Sequence, residues 1–256
     1  MNQGDILREL IEKKERGIKS FAVLIDPDKI NEFGDVVKLV NLCATYKVDY
    51  IFVGGSLIVN DNFKTVVSTV KSISSIPTII FPGNSMQIDP SADAILFLSL
   101  ISGRNPEMLI GQHVHSAPII KRSKLEVIPT GYMLINSGKQ TSASYMSNTT
   151  PIPGNKPVIA SSTALAGEML GLQLIYLDGG SGAEEPISES IIKAVENNID
   201  IPLIVGGGLN TIERVTQALN SGADLIVVGT AIEKDQNFLV DVSMKISEMN
   251  EALNVH

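Results

Sequence analysis

Eight short apolar segments constrain the fold of this 256-residue chain more than any other feature. They alternate little between polar and apolar residues, which indicates strands buried on both faces, as in a parallel sheet. The predicted strands cover residues 21–25, 50–53, 76–81, 93–98, 125–135, 174–177, 202–205 and 224–228. Helical patterns cover residues 4–16, 32–46, 58–73, 106–119, 158–170, 187–198, 210–221 and 236–253. This succession predicts an α/β fold, a (β/α)8 TIM barrel, with a doubly wound sheet as the alternative.

The connection between the third and fourth predicted strands departs from this repeat. Only residues 82–92 separate the two strands, which is too short for an ordinary crossover helix and its turns. We therefore expect an irregular or missing third helix. Residues 136–156 are rich in Ser, Thr, Asn, Pro and Gly, which predicts a long loop or a short helix with mobile flanks. No segment resembles a linker, so we expect residues 1–256 to form a single barrel domain.

Charge and hydropathy exclude some classes of partner. The formal net charge of −8 argues against nucleic acid, which requires a basic surface. It permits an anionic substrate, because backbone dipoles or a metal ion can hold phosphate on an acidic protein. The longest apolar stretch, residues 94–101, is far shorter than the ~20 residues of a membrane span, and the N-terminus lacks a signal pattern. We expect a cytoplasmic protein without stable membrane insertion.

Glycines follow three consecutive predicted strands near the C-terminus. Backbone N–H groups at the ends of the seventh and eighth strands of a barrel commonly bind phosphate, and glycine lets the anion approach closely. The residues at these strand ends are Tyr176, Asp178, Gly179, Gly180, Ser181 and Gly182 after the sixth strand, Gly206, Gly207 and Gly208 after the seventh, and Gly229 and Thr230 after the eighth. Among them, Asp178 is the acid at a strand end, where it would act in catalysis or merely cap the following turn.

A second group of polar residues follows the first and second predicted strands. Asp26 lies in an Asp-Pro-Asp sequence, and Ser56 follows two glycines. Together they offer hard oxygen ligands for Mg2+ beside a diphosphate, although Asp26 could instead be a turn former. His113 and His115 share neither a helix face nor a strand end, and we interpret them as structural or surface residues.

Five segments together resemble the geranylgeranylglyceryl phosphate synthase family and its bacterial heptaprenyl relatives. The resemblance spans nearly the whole chain and is greater to the larger, archaeal-type group than to the shorter bacterial group. The segments are Phe21–Lys29, Val53–Ser56, Tyr176–Gly182, Val205–Gly208 and Val228–Thr230. Their order and their position at strand ends make the combination specific, whereas each segment alone is weak.

The resemblance implies a prenyltransferase that joins sn-glycerol 1-phosphate to a long prenyl diphosphate such as geranylgeranyl diphosphate. It implies that Asp26 and Ser56 hold Mg2+, and that residues 176–182, Gly207, Gly208, Gly229 and Thr230 hold glycerol phosphate. The acid at position 178 would take the proton of the attacking hydroxyl. It also implies a homo-oligomer and an opening in the barrel wall where an apolar tail lies.

Two positions depart from the family pattern, and two other functions stay open. Asp178 stands where many members have glutamate, and Leu24 stands where the shorter bacterial group has a phosphate-contacting lysine. The alternative enzyme is a sugar-phosphate isomerase or aldolase, for which Lys29 is the available strand-end lysine. The non-enzymatic alternative is a barrel that binds a phosphorylated metabolite. The joint presence of Asp26, Ser56 and Asp178 favours the prenyltransferase.

Overall fold

Eight parallel strands close into a barrel in the order in which they occur along the chain. The structure is a computed structural model that describes residues 4–30 and 32–253. The strands are β1 (Ser20–Ile25), β2 (Tyr50–Val53), β3 (Thr78–Ile80), β4 (Ala94–Leu100), β5 (Glu126–Leu134), β6 (Leu174–Asp178), β7 (Leu203–Gly206) and β8 (Leu225–Val228). Because β1 pairs with both β2 and β8, the sheet has no edge. The predicted (β/α)8 barrel is confirmed, and a doubly wound sheet is excluded.

Helices follow most strands and surround the barrel. They are α1 (Asp5–Glu15), α2 (Phe33–Thr45), α3 (Phe63–Ile73), α4 (Gln112–Ser123), α5 (Ser142–Met146), α6 (Pro157–Met169), α7 (Glu189–Glu196), α8 (Ile212–Asn220), α9 (Thr230–Lys234) and α10 (Asn237–Leu253). A π-helical turn, Glu107–Gly111, leads into α4. Residues 81–93, all of them described, contain no helix, as expected for the third connection. No helix in the described ranges is long and apolar enough to cross a membrane.

The predicted limits of several elements differ from the observed ones. The helix expected over 58–73 begins only at Phe63, because residues 54–62 form a loop at the end of β2. The segment 136–156 contains the short helix α5, in agreement with one of its two predicted states. Helix α9 was not predicted. The expected domain limits include residues 1–3, 31 and 254–256, which lie outside the described residues.

Alternate residues of each strand point into the barrel and outward to the helices. On β6, Tyr176 belongs to the interior apolar cluster, whereas Leu177 belongs to the cluster between strands and helices. Ile6 and Leu10 of α1 join the interior cluster, so this helix closes the end of the barrel at which the strands begin. The carboxylate of Glu126 accepts hydrogen bonds from the N–H groups of Ile6 and Leu7, at 3.0 and 2.8 Å, and caps the helix.

Three aspartates join neighbouring strands at the closed end of the barrel. Each precedes a strand and accepts a hydrogen bond from an N–H group near the start of the preceding strand. The pairs are Asp49 with Phe21 at 2.9 Å, Asp93 with Thr78 at 2.7 Å, and Asp224 with Leu203 at 2.9 Å. Each aspartate also forms an ion pair with a lysine. These carboxylates accept hydrogen bonds from N–H groups at the starts of the strands and stabilise that end of the barrel. The other end, where the strands finish, is the one at which a site can form.

Candidate active site

One cavity of about 940 Å3 lies at the carboxyl ends of the strands. Its wall includes residues that follow every strand, from Asp26 after β1 to Thr230 after β8. Active sites of (β/α)8 barrels are built at this end because eight loops converge there. The cavity therefore collects side chains that are far apart in the sequence.

Asp178 lies at the end of β6 on the inner side of the barrel. Its carboxylate is almost fully buried, with 8% of the residue exposed. Oδ2 accepts a hydrogen bond of 2.5 Å from the hydroxyl of Tyr132, and Oδ1 accepts one of 2.7 Å from the N–H of Gly180. Burial raises the pKa of Asp178, while these two hydrogen bonds act in the opposite direction. A carboxylate with a raised pKa that lines a cavity is suited to accept a proton.

Three aromatic rings, those of Phe81, Tyr132 and Tyr176, lie in the barrel interior next to Asp178. Tyr132 and Tyr176 meet edge to face with centroids 5.5 Å apart, and Phe81 stacks on Tyr176 at 5.0 Å. Such contacts fix ring orientation in addition to burying apolar area. Gly206 on β7 leaves room for the Tyr176 hydroxyl, because a Cβ at this position would lie 2.6 Å from that oxygen. The rings thus form the floor of the cavity beneath Asp178.

Glycines bring the loops after β6 and β7 into close contact. Gly180 and Gly207 have φ values of +86° and +82°, in the region that side chains other than glycine rarely adopt. A Cβ on Gly207 would lie 2.6 Å from the backbone nitrogen of Gly179. Larger residues would separate the two loops. The result is a cavity wall made largely of backbone at the ends of β6 and β7.

Asp26 and Ser56 both line the opposite part of the cavity. Oδ1 of Asp26 accepts a hydrogen bond of 3.1 Å from the N–H of Asp28. The neighbouring Gly55 packs directly on this carboxylate, since a Cβ there would lie 2.9 Å from Oδ1 of Asp26. Burial is the main cause that raises the pKa of Asp26, and the Asp28 N–H and the Lys29 charge lower it.

Lys29 lies between the two halves of the cavity. Its Nζ is 2.9 Å from Oε2 of Glu233 and 3.8 Å from Oδ2 of Asp26. The same nitrogen is 3.4 Å from each of the hydroxyl oxygens of Ser181 and Thr230. One ammonium group therefore contacts the loops after β6 and β8 from its position after β1.

A branch of the cavity leaves the barrel interior between β4 and α4. Phe97, on the outer face of β4, and His113, Ser116 and Ile120 of α4 form its walls together with Ile88 of the helix-free third connection. His113 packs edge to face on Phe97 with centroids 4.5 Å apart, and burial lowers its pKa. The branch occupies the side of the barrel where a helix is absent, and its walls are largely apolar.

The structure brings most of the predicted site residues to this one cavity. Leu177 and Gly179 are exceptions that do not line it: Leu177 packs in the outer core, and Gly179 lies against Gly207. The sequence reasoning did not identify Tyr132 or Glu233. Tyr132 lies within the predicted strand 125–135, but its inward direction beside Tyr176 follows from the strand register, which only the structure gives. Glu233 lies on α9, for which the sequence carried no recognised signal.

Comparisons with known proteins agree with the geometry. A model of the PcrB family matches residues 10–253. The chain is 51% identical over 238 residues to the geranylgeranylglyceryl phosphate synthase of Chitinophaga pinensis, covering 93% of this chain and 94% of that protein. It is 38% identical over 257 residues to the geranylgeranylglyceryl phosphate synthase of Pyrococcus furiosus, covering 100% of both.

A solved structure is also similar over nearly its whole length. It is the (S)-3-O-geranylgeranylglyceryl phosphate synthase of Thermoplasma acidophilum in complex with its substrate sn-glycerol-1-phosphate. The TM-score is 0.86 at 31% identity, and the match covers 99% of this chain and 98% of the other. The five sequence segments, the barrel and these matches agree, and the chain belongs to the PcrB family, in which its relatives are geranylgeranylglyceryl phosphate synthases.

Proposed function

We propose that this protein transfers a prenyl group, the geranylgeranyl group, from its diphosphate to the free primary hydroxyl of sn-glycerol 1-phosphate. The hydroxyl oxygen forms a bond to C1 of the prenyl group, the bond from C1 to the diphosphate oxygen breaks, and diphosphate leaves with the electron pair. The observation that carries the proposal is the single cavity that joins a buried acid, glycine-rich loops and an apolar branch. The relative from Thermoplasma acidophilum in complex with sn-glycerol-1-phosphate supports the choice of acceptor.

Asp178 is the proposed proton acceptor. As the new ether bond forms, the hydroxyl of glycerol phosphate becomes acidic and its proton passes to the carboxylate. The hydrogen bonds from Tyr132 and Gly180 hold the carboxylate in one orientation. The acceptor phosphate is bound by the glycine-rich loops after β6, β7 and β8, where Gly180, Ser181, Gly182, Gly207, Gly208, Gly229 and Thr230 line the cavity.

Asp26 and Ser56 are the proposed ligands of Mg2+. The donor set fits this ion, because Mg2+ binds through one or two carboxylates and completes its shell with water and substrate phosphates. No group of three or more His, Cys, Asp and Glu residues suited to a metal occurs within residues 4–30 and 32–253, so most ligands would come from the diphosphate and water. When bound, the ion supplies positive charge that stabilises the departing diphosphate. Burial raises the pKa of Asp26, so a cation bound beside this carboxylate would favour its charged form.

The prenyl tail lies in the branch between β4 and α4. Asp26 and Ser56 line the same cavity as Phe97 and Ile120 of this branch. A prenyl diphosphate whose diphosphate binds at Asp26 and Ser56 would place its apolar chain in this branch. Burial of such a chain against apolar walls stabilises the complex by roughly 25 cal/mol per Å2 of apolar area.

The proposal is tested by incubating the purified protein with Mg2+, geranylgeranyl diphosphate and sn-glycerol 1-phosphate, with sn-glycerol 3-phosphate as the matched acceptor control. We expect an ether product and diphosphate with the 1-phosphate and much less product with the 3-phosphate. Equal rates with both acceptors would contradict the assigned substrate. Absence of product, together with turnover of a sugar phosphate, would favour the isomerase or aldolase instead.

Assembly, location and domain organisation are further parts of the proposal. Val158, Met169 and Leu170 on or next to α6 are between 74% and 81% exposed, which supports association of copies of the chain through this helix. Light scattering on the purified protein measures the mass of the particle.

We also propose a cytoplasmic location and a single domain. Cell fractionation tests the location, and limited proteolysis tests the domain organisation.

A further inference from the structure

Three loops present hydrogen-bond donors to one point of the cavity. Lys29 Nζ lies 3.4 Å from Ser181 Oγ and 3.4 Å from Thr230 Oγ1, and the two hydroxyl oxygens are 3.4 Å apart. The three residues follow β1, β6 and β8, so the arrangement depends on closure of the barrel. An ammonium group donates only, and a hydroxyl group can donate to an acceptor placed between them. Such a set suits an oxyanion.

Positive charge at this point comes from Lys29, which also pairs with the carboxylate of Glu233. Among the residues that the structure describes, the cavity wall contains two lysines, Lys29 and Lys234, and no arginine. The glycine-rich loops offer N–H dipoles, and an ammonium group adds a charge-assisted hydrogen bond that neutral donors do not supply. Glu233 holds the ammonium group at 2.9 Å and keeps it directed toward Ser181 and Thr230. The lysine is thus positioned before an anion binds.

We propose that Lys29 binds the phosphate of sn-glycerol 1-phosphate, together with the hydroxyls of Ser181 and Thr230, and that Glu233 is its positioning counter-ion. This inference rests on the proposed function and adds the cation of its acceptor subsite. The same ammonium group lies 3.8 Å from Oδ2 of Asp26, on the side proposed for the diphosphate. Lys29 therefore stands between the two anionic groups and reduces the repulsion that would oppose their simultaneous binding.

The test measures binding separately from transfer. Lys29→Met removes the charge and keeps an apolar side chain of similar length. Lys29→Ala removes both the charge and the long side chain. Lys38→Met is the matched control, because Lys38 is exposed on α2 and pairs with Asp35 one turn away. Calorimetry gives the Kd of sn-glycerol 1-phosphate for each protein in the absence of prenyl diphosphate. Inorganic phosphate is then measured as a competitor, and thermal unfolding checks each fold.

We expect both Lys29 variants to raise the Kd of sn-glycerol 1-phosphate and the Ki of inorganic phosphate by a similar factor, about tenfold or more, as for loss of a hydrogen bond to a charged group. Lys38→Met should leave both constants unchanged, and Lys29→Arg should fall between the wild type and Lys29→Met. A folded Lys29 variant with wild-type constants would overturn the assignment. So would an effect confined to the KM of the prenyl diphosphate.

Failure of the proposed function gives a different result. A wild-type protein that binds sn-glycerol 1-phosphate through Lys29 but transfers no prenyl group would contradict the reaction and support the phosphate contact. A protein that transfers the prenyl group with no dependence on Lys29 would support the reaction and contradict the contact.

Discussion

The hydroxyl of Tyr132 on β5 lies 2.5 Å from Oδ2 of Asp178 on β6. Strand register explains the contact, since Tyr132 pairs with Tyr176 and Leu134 with Asp178, so all four point into the barrel. Burial raises the pKa of Asp178, and the Tyr132 hydroxyl, as a donor to the charged form, lowers it. One tyrosine thus influences both the orientation and the basicity of the proposed proton acceptor.

Replacement of Tyr132 by phenylalanine tests this relationship. A base acts in its deprotonated form, so kcat/KM rises with pH as Asp178 ionises, and burial places this rise above the ordinary aspartate value of 3.8. Tyr132→Phe removes a hydrogen bond that lowers the pKa, and the rise should move to higher pH. We expect kcat/KM at neutral pH to fall about tenfold or more. The pH profile of single-turnover transfer is the measurement.

Tyr145→Phe is the matched control for that experiment. Tyr145 on α5 is 70% exposed and does not line the cavity, so the loss of its hydroxyl should leave the profile unchanged. A Tyr132→Phe enzyme with the wild-type acidic limb and rate would contradict the role given to Tyr132.

Replacement of Asp178 by asparagine tests the proton acceptor itself. The amide keeps the size of the side chain and loses its basicity. We expect kcat to fall by a factor of about 10² to 10⁴, the usual contribution of a general base, with a smaller effect on the Kd of sn-glycerol 1-phosphate. Unchanged single-turnover transfer would mean that the proton leaves to water or phosphate. Calorimetry with the acceptor and rapid-quench kinetics separate the two effects.

Asp26→Asn tests the proposed Mg2+ site. Removal of one charged oxygen ligand should raise the Mg2+ concentration needed for half-maximal transfer by roughly tenfold or more and leave the melting temperature near that of the wild type. Asp35→Asn on α2 is the control, because its carboxylate is 50% exposed and pairs with Lys38. Wild-type Mg2+ dependence in Asp26→Asn would remove Asp26 from the ligand set.

The sequence predicted the barrel and most cavity residues because both depend on local patterns. Apolar segments identify strands, and residues at their ends necessarily meet when the strands are parallel and closed. The glycines after β7 and β8 and Asp26 after β1 could therefore be placed at the same end of the barrel from the sequence. The absence of a helix between β3 and β4 was predictable, because residues 82–92 are too few to contain a helix and its turns.

Contacts between strands and loops could not be predicted in the same way. Leu177 was included in the predicted substrate site because it lies within the segment 176–182. Alternate residues of β6 point to opposite sides of the sheet, so Leu177 packs against the helices and not in the cavity. The position of Lys29 beside Ser181 and Thr230 depends on closure between β1 and β8 and on the short helix α9. Local spacing contains no information about such contacts, which arise only from tertiary structure.

Asp93→Ala tests the function of the closed end of the barrel. The carboxylate accepts a hydrogen bond from the N–H of Thr78 at 2.7 Å and pairs with Lys71 at 2.7 Å. Its removal leaves the N–H without this partner and should lower the free energy of unfolding by about 1–3 kcal/mol, while transfer at low temperature remains near wild type. Urea unfolding measures the change, with Asp35→Ala as an exposed control. An equal loss of unfolding free energy in Asp93→Ala and Asp35→Ala would contradict a stabilising role for the contact between Asp93 and Thr78.

Ser116→Phe tests whether the branch between β4 and α4 receives the prenyl tail. Ser116 lines the branch and is 7% exposed, so an aromatic ring there should occupy space that a long tail needs. We expect kcat/KM for geranylgeranyl diphosphate to fall about tenfold or more while that for the shorter geranyl diphosphate changes little, since one displaced isoprene unit contributes several buried methylene equivalents. Val114→Phe is the control on the same helix, because Val114 is 64% exposed and does not line the cavity. Thermal unfolding identifies any loss from overpacking. A uniform decrease for both substrates in a folded Ser116→Phe enzyme would place the tail elsewhere.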